Sequence, residues 1–231
     1  MQLVLTSELL LEAYRQGLFP MAYSAESPYV HWICPEERGQ LPIEGLHISK
    51  SLLKNVKINL KRNEPFQIKI NTAFEAVMRK CAAARDDRPE TWINEPIIEA
   101  YCGLRARGHA HSVECWADDT LVGGLYGVSI GAAFFGESMF SRQSNASKIA
   151  LVHLCARLWK AGYKVLDTQF VNDHLKQFGV YELSHKQYLE RLQEVLPIET
   201  DFMLESIDEA ALVPEYLEAR KPKNDIGFID R

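Results

Sequence analysis

The chain has 231 residues, 47% of them hydrophobic, and a formal net charge of −5. Such a composition supplies a core for one large domain, or one domain with a small attachment, and excludes a chain that is basic throughout. No apolar run approaches the roughly 20 residues of a membrane span.

Residues 1–8 carry neither a basic n-region nor a small-residue cleavage site, which predicts a cytoplasmic protein. Thr6 is placed to cap a first helix whose Leu9, Leu10, Ala13 and Tyr14 share one face, with Gly17 as its stop. Between 20 and 45 lie four of the ten prolines and little periodicity. This stretch reads as irregular loops packed by Tyr23, Tyr29 and Trp32, so residues 1–45 are expected to form a small N-terminal domain. Ser49 opens a short helix over Lys50–Val56, and period-two alternation predicts a strand over Phe66–Asn71. A helix follows from Thr72 to about Ala84. Asn94, with Pro96 in the first turn and Gly108 past the end, brackets another. Strands are predicted over His111–Trp116, Thr120–Ser129 and Gly131–Gly136. Ser144 or Asn145 caps a helix through Lys160, then comes a strand over Val165–Val171, and Ser184 caps a last helix to about Val195. Residues 196–231 read as an acidic, partly irregular extension of the main domain, 46–231. Helices, an antiparallel meander and then a helix crossing to another strand make an α+β domain with a mixed sheet. That is the general plan of the acetyltransferase-like (GNAT) fold.

Charge is unevenly spread. From His47 to Arg88 there are ten basic residues against four acidic ones, among them Lys54, Lys61, Arg62, Arg79 and Arg85. From Glu199 onward nine acids face four bases. A basic stripe on an acidic protein is either a polyanion contact or a solvated lysine-rich face.

Several chemistries are absent from the sequence. It has no Walker loop, no H-E-x-x-H, no dinucleotide fingerprint and no G-x-S-x-G. The five cysteines form no C-x-x-C pair, and His109, His111 and Cys115 lack a fourth ligand at a familiar spacing, so neither metal nor cofactor is expected. Arg105-Ala-Arg-Gly-His-Ala110 fits the acyl-CoA pyrophosphate string of GNAT enzymes, but it closes a helix, where the dipole is negative. The polar run from Phe134 to Lys148 joins an apolar strand to a helix start, and a second cluster spans Asp167 to His174; the two read as walls of one site. Asp167 and Gln169, two apart in a strand, should point the same way. They could relay a proton from an amine or form a buried polar pair. Glu137 could bind an ammonium group or accept backbone amides in a turn. Trp92 could stack on a base or pack in the core.

Together these motifs carry a resemblance. Residues 44–50 (Glu-Gly-Leu-His-Ile-Ser-Lys), Thr91-Trp92-Ile93, Gly108–Ser112, Val122–Val128, Phe135–Arg142, Asn145–Lys148 and Asp167–His174 occur in one order. The set resembles the leucyl/phenylalanyl-tRNA–protein transferase family over about residues 9–195. The resemblance implies a GNAT-like domain with a small N-terminal domain. It implies transfer of Leu or Phe (Met is a further candidate) from aminoacyl-tRNA to the α-amine of proteins starting with Arg or Lys, making an N-degron. It implies Asp167 and Gln169 as a relay, with Asn172 beside them, and Trp92 against the terminal adenosine. Leu125, Glu137, Met139, Leu151, Leu154, Leu158 and Leu166 would line the aminoacyl pocket. Phe19-Pro20 leads to Met21, where the family's familiar form has Trp. The alternatives are a GNAT-type acyltransferase with another donor or acceptor, and a non-catalytic tRNA-binding protein.

Overall fold

A computed structural model of the chain describes residues 5–62, 64–84, 90–205 and 207–220. Helix α1 (Ser7–Arg15) begins where Thr6 Oγ1 accepts from Leu9 N, and its buried Leu10, Leu11 and Tyr14 face the core. Strands β1 (Phe19–Ala22) and β2 (Val30–Ile33) form an antiparallel ribbon of their own in the stretch that reads as irregular. Strand β3 (Glu37–Gln40) leaves that ribbon and joins the main sheet.

Helix α2 (Lys50–Arg62) runs well past Val56; its buried stripe is Leu52, Val56 and Asn59, and Asn59 Oδ1 accepts from Phe66 N at 3.0 Å. After β4 (Gln67–Ile70), helix α3 (Phe74–Ala82) starts two residues later than Thr72. Its first turn is capped from the sheet, since the Glu114 carboxylate accepts from Ala73 N at 2.8 Å. Helix α4 (Glu95–Ala106) is capped by Asn94 Oδ1 on Ile97 N, as expected. The meander is β5 (Ala110–Ala117), β6 (Thr120–Ile130) and β7 (Ala133–Ser141). Helix α5 (Ala146–Lys160) then crosses to β8 (Val165–Gln169). A short α6 (Asp173–Lys176), β9 (Tyr181–Ser184) and α7 (His185–Val195) follow, with a Ser184/Gln187 capping box on α7. The acidic extension holds one more helix than its composition shows, α8 (Glu209–Ala219), with Pro214 inside it. Residues 221–231 lie outside the described residues.

The main sheet has the order β4-β5-β6-β7-β8-β3-β9, with β7 and β8 parallel and every other pair antiparallel. The expected α+β architecture with a mixed sheet is therefore present. Helices α2, α5 and α8 cover one face, and α1, α3, α4 and α7 the other. Strand alternation feeds both cores: Phe134 and Leu166 point to the α5 side, Phe135 and Val165 to the α4 side. Among the described residues no helix is long and apolar enough to cross a membrane.

Candidate active site

β7 stays paired with β6 as far as Ser141, but it pairs with β8 only from Ala133 to Phe135, opposite Val165 to Asp167. Beyond Phe135 the two parallel strands part. The wedge between them is the floor of a cleft of about 580 Å³.

Two irregularities shape this wedge. Tyr126 and Gly127 are consecutive on β6, but their partners are Ser138 and Gly136, so Glu137 is an extra residue bulged out of β7. The side-chain order agrees. Phe135 and Phe140 both lie in the α4-side core, although an odd spacing in a regular strand would put them on opposite faces. The close approach needs glycine, because a Cβ on Gly127 would stand 2.3 Å from the Phe135 carbonyl oxygen. On the other side of the wedge, consecutive Gly39 and Gln40 of β3 face Gln169 and Asp167, leaving Thr168 as the extra residue of β8. The polar run after Phe135 thus belongs to a bulged strand, not to a strand-to-helix junction. The turn proper is short, and Asn145 ends it in the left-handed region (φ 67°) without capping α5 through its side chain.

The bulge aims Glu137 at two phenols and a carboxamide. Its Oε1 accepts from Tyr14 Oη at 2.7 Å and from Gln169 Nε2 at 3.1 Å, and Oε2 accepts from Tyr101 Oη at 3.2 Å. The two phenol oxygens also lie in contact with each other; because each phenol has a single hydrogen, they bond each other only when one of them turns its hydrogen away from Glu137. Glu137 keeps an edge on the cleft yet is surrounded by protein. That burial pushes its carboxyl up to about 7; the Tyr14 bond opposes the rise, and the nearby Asp167 charge adds to it. Burial and the Glu137 charge hold both phenols well above the usual tyrosine range.

Asp167 is placed differently from the expectation. It is 0% exposed and does not border the cleft. Arg38 Nε donates to both its oxygens at 3.1 and 3.0 Å, and Nη2 lies 2.9 Å from Oδ2 as an ion-pair contact. Tyr188 Oη donates at 2.6 Å, and the backbone N of Gln169 at 2.7 Å. Arg38 in turn gives Nη1 to the Gly17 carbonyl and lies against the rings of Phe19 and Tyr188. Gln169 has a φ of 59°, so its side chain leaves the strand alternation and reaches Glu137 instead of lying beside Asp167. The same-face relay is corrected accordingly: Asp167 grips the Gln169 main chain, and the carboxamide meets a different carboxylate.

The remaining cleft residues sort into a wall and a mouth. Leu125, Met139, Leu151, Leu154 and Leu166 form an apolar wall on the α5 side. Met21, Trp92 and Phe170 flank the mouth, with Asn172 and His174 at its rim. The Asn172 carboxamide oxygen is engaged, because it caps α6 by accepting from Leu175 N. Leu158 is fully buried one turn beyond Leu154 and is not among the cleft-lining residues. The expected basic stripe is divided. Lys54, Lys61 and Arg62 are exposed on α2 and in no ion pair among the described residues. Arg79, on α3, is across the sheet and clasped by Glu75 and Glu95. Arg85 lies outside the described residues. The CoA-like string proves to be a helix end: α4 stops at Ala106, and Gly108 turns the chain at φ 79°.

Sequence reasoning missed Arg38, Tyr14, Tyr101 and Tyr188. The tyrosines did leave a signal. Tyr14 and Tyr101 occupy core-facing helix positions, and a buried phenol requires a polar partner. Arg38 left none, since its burial depends on the β8 pairing.

Comparison with known proteins agrees with the motifs. The family profile described as leucyl/phenylalanyl-tRNA protein transferase matches residues 40–193, and that of its N-terminal domain matches residues 4–36. The leucyl/phenylalanyl-tRNA–protein transferase of Paramagnetospirillum magneticum is 56% identical over 192 residues, 83% of this chain and 90% of that protein. Those of Maricaulis maris and Caulobacter vibrioides are each 52% identical, over 85% of this chain and 88% of the relative.

Proposed function

We propose that this chain, which belongs to the leucyl/phenylalanyl-tRNA–protein transferase family, moves leucine or phenylalanine from aminoacyl-tRNA to the N-terminal α-amine of proteins that begin with Arg or Lys. The product is a new N-terminal residue that marks the protein for proteolysis, and the reaction belongs to the cytoplasm, where its donor is made. The observation that carries this reading is the wedge between β7 and β8. It sets an apolar wall beside a polar floor of Glu137 and Gln169 and opens past Trp92.

Each part answers a need of the chemistry. The donor ester is already activated, so amide formation needs no nucleotide triphosphate. The attacking amine has an ordinary pKa of about 7.7–8.0, so an appreciable fraction is neutral near pH 7. What the protein must supply is placement and proton handling. The wall of Leu125, Met139, Leu151, Leu154 and Leu166 receives the donor side chain. Trp92, with Met21 beside it, receives the adenosine. Gln169 and Asn172 contact the reacting groups, and Asp167 acts through the Gln169 main chain. Lys54, Lys61 and Arg62 hold the tRNA body by its phosphates, which carry little sequence information.

The test is label transfer to a peptide beginning with Arg. Labelled Leu-tRNA, Phe-tRNA and acetyl-CoA are offered in turn, with an α-acetylated peptide as control. Label should pass from the two aminoacyl-tRNAs to the free peptide alone. Transfer from acetyl-CoA would instead make the protein a CoA-dependent acyltransferase, and binding of tRNA without any transfer would make it a tRNA-binding protein.

A further inference from the structure

Two carboxylates lie near the wedge, and their surroundings separate them. Asp167 has no exposed surface, and its oxygens are filled by Arg38, Tyr188 and the Gln169 amide. A carboxylate offers about four acceptor positions, so Asp167 has none to turn toward an amine. Glu137 borders the cleft, and among the described residues its Oε2 carries a single long hydrogen bond, 3.2 Å from Tyr101. A bulge at that residue points it there, as bulges beside reactive sites commonly do.

We propose that Glu137 takes the proton from the attacking α-amine and returns it to the leaving ribose oxygen, with Tyr14 and Tyr101 tuning its acidity. The proposal rests on the aminoacyl-transfer reading above. The neutral amine nitrogen bonds to the ester carbonyl carbon, and the carbonyl electron pair moves to its oxygen. The nitrogen, now positively charged, gives one proton to Glu137 Oε2. The carbonyl re-forms, the bond from carbon to the ribose oxygen breaks, and that oxygen takes the proton back from Glu137. The products are an amide and a free ribose hydroxyl, and the carboxylate is regenerated, so no outside acid or base is consumed.

The groups facing Glu137 come from four elements: Tyr14 on α1, Tyr101 on α4, Gln169 and Asp167 on β8, and Arg38 on β3. The phenols and Arg38 favour its charged form; burial and Asp167 disfavour it. A carboxyl group held near neutrality is matched to both taking and returning a proton at physiological pH. The phenols themselves are held well above the usual tyrosine range, so they serve as donors and not as bases.

The experiment measures kcat for transfer from Leu-tRNA to two Arg-starting peptides whose α-amines differ in basicity, over a pH series. The proteins are wild type, Glu137→Gln, Glu137→Asp, Tyr14→Phe and Tyr101→Phe, each checked by circular dichroism. Glu137→Gln should lower kcat by roughly 10²–10⁴-fold with KM for Leu-tRNA nearly unchanged, and Glu137→Asp should recover part of the loss. The acid limb of kcat should be common to both peptides, with an apparent pKa near 7. It should move to higher pH in both phenylalanine variants, because each has lost a donor to the carboxylate. A purely structural role would leave that limb in place. The proposal is overturned if folded Glu137→Gln keeps kcat within about threefold of wild type, or if the limb follows the peptide amine and ignores both tyrosines. Wild-type protein that transfers nothing refutes the aminoacyl-transfer reading itself, which is a different result from undiminished transfer by Glu137→Gln.

Discussion

Replacing Arg38 with Met tests whether Asp167 is held as a structural ion. Arg38 is 1% exposed and Asp167 0%, with Arg38 Nη2 2.9 Å from Oδ2. Methionine keeps an apolar stem of similar length and removes the charge, its donors and the guanidinium that lies against the rings of Phe19 and Tyr188. It leaves a buried carboxylate without its counter-ion, a change that costs about 3–5 kcal/mol. At this chain length that lowers Tm by about 6–20 °C. Asp167→Asn should destabilise comparably, by stranding the guanidinium. The double variant should be less destabilised than the sum of the singles, with a coupling of about 3 kcal/mol for groups in direct contact. Reversible denaturant unfolding of the four proteins measures this cycle. If either single variant loses under about 1 kcal/mol, or the effects add within about 0.5 kcal/mol, the buried clamp is not what fixes the Gln169 turn.

Other outcomes follow from the same geometry. Leu154→Phe narrows the apolar wall and should shift relative transfer rates toward Leu-tRNA over Phe-tRNA by about 1–3 kcal/mol, whereas Leu158→Ala should cost about 2–5 kcal/mol of stability with selectivity unchanged; parallel rate ratios and melts distinguish them. Reversing Lys54, Lys61 and Arg62 to Glu should weaken tRNA binding and flatten its salt dependence by roughly one unit per lost phosphate contact. Arg79→Ala should do neither, because its charge is already engaged by Glu75 and Glu95. Filter binding at several salt concentrations checks both. For stability, Glu137 is raised from 4.5 to about 7 in the folded protein. Between those values the folded state holds more proton than the unfolded one, so wild-type stability falls as pH rises through that window. Glu137→Gln removes this fall. Its stability relative to wild type should climb by about 1–2 kcal/mol, after allowance for the solvated edge, from about pH 5 to about pH 7 and then level off, and the Tm difference should follow. A Tm difference that is flat with pH would contradict the assigned shift.

Local signals were legible and tertiary ones were not. Thr6, Asn94 and Ser184 announce three helices because a cap is a short-range bond between a side chain and a backbone amide two or three residues on. β3 and β9 have only four residues each, and Glu-Arg-Gly-Gln has no alternation; their strand state comes from pairing with each other and, for β3, with β8. The wedge lining was largely readable from the motifs around Trp92, Glu137, Met139 and Gln169. The direction of each side chain was not. Period-two reasoning fails at a bulge, and both Glu137 and Thr168 are bulged. One clue was present: Phe135 and Phe140 cannot share a core face across an odd spacing unless a residue is extra. The basic stripe misled for a related reason. Residues adjacent in sequence pass through β4 from one face of the sheet to the other, so Lys61 and Arg79 do not meet.

The most direct measurement of the central claim is a structure of the protein with an amide-linked, non-hydrolysable leucyl-adenosine. The leucine side chain should lie against Leu125, Met139, Leu151, Leu154 and Leu166, the adenine against Trp92, and the carbonyl carbon beside Glu137 and Gln169. An analogue bound with its leucyl group outside the wedge between β7 and β8 would contradict the account.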